Sequence, residues 1–325
     1  MKMKKVTGLL AMTVAAVMAM TGCGGNDAAD DSAGNKVYHI GIIQQMEHGS
    51  LDQATKGFED KLTELLGDKV KFDYQNAQGE QTNCTTIATK FVSNDVDLIM
   101  ANATTALQAA AAATGDIPIV GTSVTDYKTA GVVDSNEKPG RNVTGVSDLA
   151  PVDQQIQLLM KLVPDTKKVG IVYCSAEPNS AYQAKLAEAE LDKEGIAWAE
   201  FTAADSNEVQ SVVTKAVGEC DALYIPTDNT IANNTEIVKN VAVPAGIPVV
   251  TGEEGMCGGC GLATLSISYY DLGVTTGKMA AKILTGEADI STMPIEYTDA
   301  TPKYNPTICE SLGITPLDGY TAIEG

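Results

Sequence analysis

The chain has 325 residues, of which 44% are hydrophobic and 20% charged, an ordinary balance for a globular protein and a length sufficient for two α/β domains. Its 22 basic and 42 acidic residues give a net charge of −20. This charge repels nucleic acid and anionic lipid headgroups, so we expect neither to bind the folded body of the protein.

The first predicted element is an export signal at the N-terminus. Three lysines precede an apolar stretch over 6–20, which is too short for a permanent membrane-spanning helix. The stretch ends near Cys23, and a cysteine at this exit resembles the lipoprotein box, in which that cysteine becomes the lipidated first residue of the mature chain. We predict a signal peptide over 1–22, lipidation of Cys23 and a flexible tether over 23–36. The alternative is an ordinary cleaved signal with an incidental cysteine.

After the tether, short apolar runs typical of buried strands alternate with longer amphipathic runs typical of helices. In the first half we predict strands over 37–43, 70–74, 97–101 and 117–120 and helices over 50–65, 81–92 and 104–114. Ser50 is expected to cap the first helix and Gly67 to end it. In the second half we predict helices over 151–162, 180–193, 209–217 and 231–241 and strands over 168–173, 196–201, 222–225 and 247–250. A strand over 262–267, a helix over 270–284 and a strand around 295–297 follow.

This alternation predicts an α/β protein with parallel sheets covered by helices on both faces. Two series of similar length predict two Rossmann-like lobes. The extra strand and helix at the end indicate that the chain crosses back, so we assign 37–147 and 256–297 to the first lobe and 148–255 and 298–325 to the second. Several crossings would form a hinge, which suits closure around a ligand.

The loops that follow the strands form the candidate site, because ligands bind beyond the carboxyl ends of strands in open parallel sheets. Hydroxyl groups at helix starts favour a carboxylate, and the candidates are Ser50, Thr104, Thr105 and Ser180. Carboxylates that could accept an ammonium group are Glu47, Asp148, Glu177 and Asp228. Each of these side chains could instead cap a helix. Several such loops facing one cleft favour a site for a small zwitterion.

Cysteine and histidine give little support for catalysis. Cys257 and Cys260 have the CxxC spacing of redox and zinc sites, but a structural zinc needs four ligands and no second CxxC or nearby histidine is present. We interpret the pair as a tight turn holding two thiols or a local disulfide. No hydrolase, nucleotide or phosphate-binding motif occurs, so we predict no catalytic residue, no metal and no cofactor. The alternative is an exported hydrolase or redox protein acting through His48 or the CxxC pair.

Six stretches of the sequence resemble the substrate-binding lipoproteins of ABC transporters, a family that includes tryptophan-binding and tyrosine-binding proteins. They are IIQQMEHGSLD at 42–52, PIVGTSVTDYKTAGV at 118–132, NVTGVSDLAP at 142–151, EPNS at 177–180, ALYIPTDN at 222–229 and ATLSISYYDLGVTTG at 263–277. The resemblance implies a type I periplasmic-binding-protein fold with three crossovers. It also implies binding without catalysis and delivery of the ligand to a membrane permease driven by a separate ATPase.

Carried onto this chain, the resemblance implies ligand contacts from Gln45, Glu47, Ser50, Leu51, Thr104, Thr105, Thr125, Ser147, Asp148, Glu177, Asn179, Ser180, Asp228 and Asn229. It implies a small amino acid, aromatic in type, as the ligand. We expect an extracytoplasmic monomer that is attached to the membrane only through lipid on Cys23 and has an ABC permease as its protein partner. A different function on the same fold is a sensory ectodomain that reports its ligand to a membrane kinase or chemoreceptor.

Overall fold

Residues 36–323 are described by the computed structural model of the chain. The predicted signal peptide, Cys23 and the predicted tether before residue 36 lie outside these residues. Within 36–323, no helix combines the length and the apolar composition needed to cross a membrane.

The first lobe is built on a six-stranded parallel sheet. Its strands are β1 (Tyr38–Gln44), β2 (Val70–Asn76), β3 (Leu98–Asn102), β4 (Ile119–Val124), β5 (Val143–Ser147) and β11 (Glu296–Tyr297). Its helices are α1 (Gly49–Leu66), α2 (Gln81–Ser93), α3 (Thr104–Ala113) and α10 (Tyr269–Leu284). The strand order is β11-β5-β4-β3-β1-β2, with parallel neighbours throughout.

The second lobe is built on a seven-stranded sheet. Its strands are β6 (Lys168–Cys174), β7 (Ala197–Ala203), β8 (Ala222–Ile225), β9 (Val249–Thr251), β10 (Ala263–Ser266), β12 (Thr301–Tyr304) and β13 (Thr321–Ala322). Its helices are α4 (Val152–Leu162), α5 (Pro178–Glu194), α6 (Val209–Glu219), α7 (Asn229–Ala232), α8 (Thr235–Ala242), α9 (Glu254–Gly259) and α11 (Pro306–Leu312). The strand order is β13-β12-β10-β9-β8-β6-β7, and β12 runs antiparallel to β10. The predicted fold of two α/β lobes is confirmed.

Burial on both faces of each sheet explains the apolar runs in the sequence. Every residue of β3 and β4 is buried, as expected for central parallel strands covered by helices on both sides. Each sheet separates two clusters of buried apolar side chains. In the first lobe, one cluster contains Phe91 and the other contains Phe58. In the second lobe, one contains Tyr224 and the other contains Val213. Each lobe therefore has its own core.

Two glycines bring α1 and α10 into close contact on the first lobe. A Cβ atom at Gly57 would collide with the carbonyl oxygen of Tyr270, and one at Gly273 would collide with that of Ala54. Because the backbones can approach this closely only where a Cβ atom is absent, the two glycines determine how α10 docks after the chain has crossed back.

Three segments connect the lobes within the described residues: 148–151 between β5 and α4, 267–268 between β10 and α10, and 298–300 between β11 and β12. The predicted boundary at residue 256 differs from the structure. Strand β10 pairs with β9 and so lies in the second lobe, which moves the second crossing to 267–268. The reason is that α9 and β10 form one more helix–strand unit of the second sheet.

Local differences from the predicted elements have identifiable causes. Ser50 does not cap α1, because the helix begins at Gly49 with His48 at the cap position and the Ser50 hydroxyl bonds to the second lobe instead. The predicted helix over 231–241 is divided into α7 and α8 at Asn233 and Asn234. Strand β5 is not predicted by hydrophobic patterning, because its sequence VTGVS contains three small or polar residues among five.

The six cysteines of the described residues are free and buried. Cys257 and Cys260 are therefore two thiols; Cys257 lies on the short helix α9, and Cys260 caps its C-terminal end in a turn. Burial raises the pKa of both thiols, and it raises the pKa of Cys84 to about 11. Since the thiolate is the reactive form, these environments favour inert side chains.

Candidate functional site: the interlobe cleft

A cleft of about 910 Å³ separates the strand-end loops of the two lobes. It is lined on the first-lobe side by Gln45, Glu47 and Thr105 and on the second-lobe side by Cys174, Glu177 and Thr230, among others. A narrow recess of about 20 Å³ brings Thr104 and Thr125 of the first lobe opposite Asn179 of the second. The predicted convergence of loops from both halves of the chain on one gap is therefore present.

Buried polar oxygens that lack hydrogen-bond partners occur near the strand ends of both lobes, and those of Gln45, Thr104 and Asn179 belong to residues that line the cleft or the recess. Within 36–323 they include, in the first lobe, Gln45 Oε1, Thr104 Oγ1 and Ser123 Oγ. From the first crossover and the second lobe they include Asp148 Oδ1, Asn179 Oδ1 and Thr227 Oγ1. An unpaired buried polar group costs about 1–3 kcal/mol, so their concentration at the strand ends favours a polar ligand that supplies the partners.

Backbone strain occurs beside two of these oxygens. Ala103, which precedes Thr104 at the start of α3, has a φ of 86°, and Ser123 has a φ of 55° at an irregularity in the pairing of β4 with β5. Left-handed φ values are unfavourable for residues with a Cβ atom and cost on the order of 1–3 kcal/mol each. Such strain clusters at functional sites, and here it orients hydroxyl-bearing residues at the end of the first sheet.

Glu177 is saturated by donors from its own lobe. Its Oε2 accepts hydrogen bonds from the Asn229 backbone N–H at 3.0 Å, the Asn229 amide at 2.7 Å and the Asn179 amide at 3.2 Å. Its Oε1 accepts from the backbone N–H and the hydroxyl of Thr230 at 2.7 and 2.8 Å. The side chain therefore attaches the start of α7 to the loop after β6.

Asp228 has a similar structural role as the N-cap of α7. It accepts hydrogen bonds from the backbone N–H groups of Ile231 at 2.8 Å and of Cys174 at 2.7 Å. Burial, reinforced by the neighbouring Glu177 carboxylate, raises the pKa of Asp228. Both predicted acceptors thus line or underlie the cleft, but their oxygens already accept hydrogen bonds from the protein.

Asp148 is different, because one of its two oxygens is unpaired. It lies on the first crossover and is 3% exposed. The Tyr269 hydroxyl donates to Oδ2 at 3.0 Å, whereas Oδ1 has no partner among the described residues. Burial raises the pKa of Asp148 to about 6, although the hydroxyls of Tyr269 and Thr125 oppose that rise. Asp148 therefore lies beneath the strand ends, where it lines neither the cleft nor the recess, and the Thr125 hydroxyl faces its carboxyl as a further donor.

The lobes contact each other directly around the cleft. Ser50 donates to Glu253 at 2.7 Å, and His48 Nε2 lies 3.1 Å from Asn229 Oδ1. On the recess side, the Gln183 amide donates to the Thr125 hydroxyl at 3.1 Å. These hydrogen bonds, each between a first-lobe and a second-lobe residue, define a closed arrangement.

Some predicted residues do not line the cleft but hold the loops around it in place through hydrogen bonds. Leu51 is buried in the first lobe, where its carbonyl accepts a hydrogen bond from Asn102. The Ser147 hydroxyl donates to the Thr125 carbonyl at 2.7 Å and accepts from the Leu149 N–H at the first crossover. The Ser180 hydroxyl donates to the Thr227 carbonyl at 3.1 Å within the second lobe.

Sequence reasoning missed four residues of this region: Gln183, Tyr269, Glu253 and Thr227. Thr227 lies in the same strand-end loop as the predicted Asp228 and Asn229, and Glu253 follows β9, the strand whose loop the sequence analysis does not include. Gln183 lies one helical turn after Asn179 on α5, a spacing that places both side chains on one face. The role of Tyr269 depends on where α10 docks, and no local pattern encodes that contact.

The chain matches the model of a family described as "ABC transporter substrate binding protein" over residues 39–319. It is 40% identical over 309 residues to a tyrosine-binding protein of Clostridioides difficile, covering 92% of this chain and 89% of the relative.

Within 36–323, no group of three or more His, Cys, Asp or Glu side chains is arranged to hold a metal ion.

Two solved structures bear on the arrangement of the lobes. An ABC domain from Streptococcus pneumonia in complex with L-Trp is 35% identical, with a TM-score of 0.85 and coverage of 89% of this chain and 100% of that one. A ligand-free, open substrate binding protein from Clostridium difficile is 38% identical, with a TM-score of 0.69 and coverage of 89% and 99%. At similar identity, the overall structure is more similar to the L-Trp complex than to the ligand-free, open protein. The chain belongs to the family of ABC transporter substrate-binding proteins, which bind their substrates rather than convert them.

Proposed function

We propose that this chain is the extracytoplasmic solute-binding lipoprotein of an ABC importer and that it binds a zwitterionic amino acid with an aromatic side chain between its lobes. One observation carries the proposal: buried oxygens of both lobes and of the first crossover lack partners at the ends of the strands. A free amino acid complements them, because its ammonium group supplies donors and its carboxylate accepts hydrogen bonds from hydroxyls.

The aromatic side chain is inferred from the relatives. One is named a tyrosine-binding protein and another was solved in complex with L-Trp. The cleft of about 910 Å³ lies within the size range of small-molecule sites and has room for such a ring. The fourteen residues predicted from the sequence remain proposed contacts, and the unpaired oxygens favour Gln45, Thr104 and Asn179 among them.

A thermal-shift screen of the twenty amino acids, with glucose as a non-zwitterionic control, tests the binding proposal. Saturation at a hundredfold excess over the dissociation constant adds about 2.7 kcal/mol of stability. For a chain of this size that corresponds to a rise in Tm of roughly 5 °C. We expect this rise with L-tyrosine or L-tryptophan. A rise only with non-aromatic amino acids would overturn the aromatic assignment, and no rise with any amino acid would overturn the proposal.

Lipid attachment and export are tested separately. Cells expressing the full chain are labelled with a palmitate analogue, and the Cys23→Ala variant is the comparison. We expect label on the unmodified chain, recovery of that chain in the membrane fraction, and loss of both for the variant. Equal recovery of both chains in the soluble fraction would instead support an ordinary cleaved signal.

A further inference from the structure

We propose that Gln183 is a positioning residue for ligand binding, which holds the closed arrangement of the lobes together through the Thr125 hydroxyl. The inference rests on the proposed function, because it concerns how the two walls of the ligand site are held in place. Gln183 lies on α5 and lines neither the cleft nor the recess. Thr125 follows β4 in the first lobe and lines the recess. The two residues are 0% and 2% exposed, so the hydrogen bond between them is shielded from water.

One end of the Gln183 amide is fixed within the second lobe. Its Oε1 accepts a hydrogen bond from the Thr227 backbone N–H at 3.3 Å. The Thr227 carbonyl in turn accepts from the Asn179 amide at 3.2 Å and from the Ser180 hydroxyl at 3.1 Å, both on α5. Because the backbone N–H can only donate, Oε1 must be the end of the amide that faces it. The Nε2 group is therefore the donor that faces the first lobe.

The other end of the amide reaches across to the first lobe. Gln183 Nε2 donates to Thr125 Oγ1 at 3.1 Å. Because the Thr125 oxygen accepts this bond, its own hydrogen is left to donate elsewhere. The Thr125 hydroxyl faces the Asp148 carboxyl, which also accepts a hydrogen bond from the Tyr269 hydroxyl at 3.0 Å. The contact made by Gln183 is thus continuous with buried polar groups of the first crossover and of the start of α10.

This bond joins the lobes at a different place from the other direct contacts. The bonds of Ser50 and His48 lie around the start of α1, whereas the bond of Gln183 lies on the recess side. In an open form the amide and the hydroxyl would each be hydrated, so the bond stabilises only the closed form. The net contribution of one neutral hydrogen bond corresponds to roughly fivefold in the ratio of closed to open molecules.

The test compares the unmodified protein with Gln183→Met, which keeps the length of the side chain and removes the donor. Isothermal titration calorimetry measures the affinities for L-tryptophan and L-tyrosine, and small-angle X-ray scattering of the ligand-free protein measures the separation of the lobes. If ligand binding requires the closed form, both affinities should fall by roughly fivefold. The scattering should shift towards larger dimensions.

The matched control is Gln155→Met, because Gln155 is as deeply buried as Gln183. Its amide donates to the carbonyls of Gly252 and Leu265, and its Oε1 accepts from the Tyr224 hydroxyl. All of these partners belong to the second lobe. The control should therefore change neither the affinities nor the scattering, even where it lowers the free energy of unfolding.

Thr125 supplies a second perturbation, which does not depend on the folding of Gln183→Met. Thr125→Ser keeps the hydroxyl and should scatter like the unmodified protein, whereas Thr125→Val lacks the acceptor and should shift the scattering towards larger dimensions. Adding Gln183→Met to Thr125→Val should have no further effect on scattering or affinity, because the bond is already absent. A residue that acts by general packing would give additive effects instead.

The outcomes separate the inference from the proposed function. If the unmodified protein binds neither amino acid, the proposed function fails and the inference fails with it. If it binds them and Gln183→Met leaves either the affinities or the scattering unchanged, only the inference is overturned. Equal weakening by Gln155→Met, or a second fivefold loss in the Thr125→Val background, would overturn it too. Should Gln183→Met not fold, unchanged scattering of Thr125→Val overturns the inference.

Discussion

The hydrogen bond between Ser50 and Glu253 offers a direct perturbation of lobe closure. It joins the first turn of α1 to the residue that caps α9, and both side chains are buried. Replacing Ser50 with alanine removes a charge-assisted contact between the lobes. Glu253 keeps its hydrogen bonds from the N–H groups of Gly255 and Met256, so the variant leaves no unpaired carboxylate. The substitution should therefore destabilise the closed arrangement by about 1.5 kcal/mol, near the lower end of the range for hydrogen bonds to charged groups.

That energy applies to the closed arrangement, because in an open form both groups would be hydrated. A shift of about 1.5 kcal/mol changes the ratio of closed to open molecules by roughly tenfold. If ligand binding requires the closed form, the apparent affinity falls by up to the same factor. Titration calorimetry with L-tryptophan measures the affinity, and small-angle X-ray scattering of the ligand-free protein measures the shift towards larger dimensions.

The matched control is Thr276→Val, which removes a buried hydroxyl that bonds only to the Leu272 carbonyl inside α10. It should leave ligand affinity and scattering unchanged, because this hydroxyl makes no contact with the second lobe. Equal affinities for Ser50→Ala and the unmodified protein, with unchanged scattering, would refute the view that this bond belongs to the binding-competent form.

Three further predictions concern stability. Burial raises the folded-state pKa of Asp148 to about 6, above its unfolded value near 4. The ligand-free fold therefore loses stability as the pH rises through that interval. In urea unfolding, Asp148→Asn should be more stable than the unmodified protein by up to about 3 kcal/mol at pH 7.5, and no more stable at pH 4. Asp228→Ala should lower the free energy of unfolding by about 1–3 kcal/mol, because it removes the cap of α7 and the acceptor of the Cys174 N–H. An unchanged midpoint of urea unfolding would contradict that role. Gly273→Ala should lower stability by about 1–3 kcal/mol or more because its Cβ would collide with the backbone of α1, whereas Gly218→Ala, with open space around it, should not.

The fold could be predicted from the sequence because its strands are buried on both faces. Strands such as β3 and β8 read as uninterrupted apolar runs, and the helices between them have clear amphipathic periodicity. Strand β5 could not be found in this way, since VTGVS is stabilised by its neighbours β4 and β11 rather than by its own hydrophobicity. The position of the second crossover cannot be predicted from local sequence either, because the pairing of β10 with β9 is a tertiary contact.

The candidate site was predictable as a location but not in the roles of its residues. Strand-end loops converge for topological reasons, which is why Thr104 and Asp148 could be predicted from the pattern, whereas Asn179 is implied only by the family resemblance. Whether a carboxylate is free or saturated depends on donors far away in sequence. Glu177 accepts hydrogen bonds from residues 52 and 53 positions later, and no local pattern distinguishes it from Asp148.

The most direct measurement of the central claim is a crystal structure of the protein grown with L-tryptophan. We predict one ligand between the lobes, with polar atoms within about 3 Å of the unpaired oxygens of Gln45, Thr104 or Asn179. Ligand density on the outer surface of one lobe, or a cleft in which Gln45, Thr104 and Asn179 contact no ligand atom, would contradict the account.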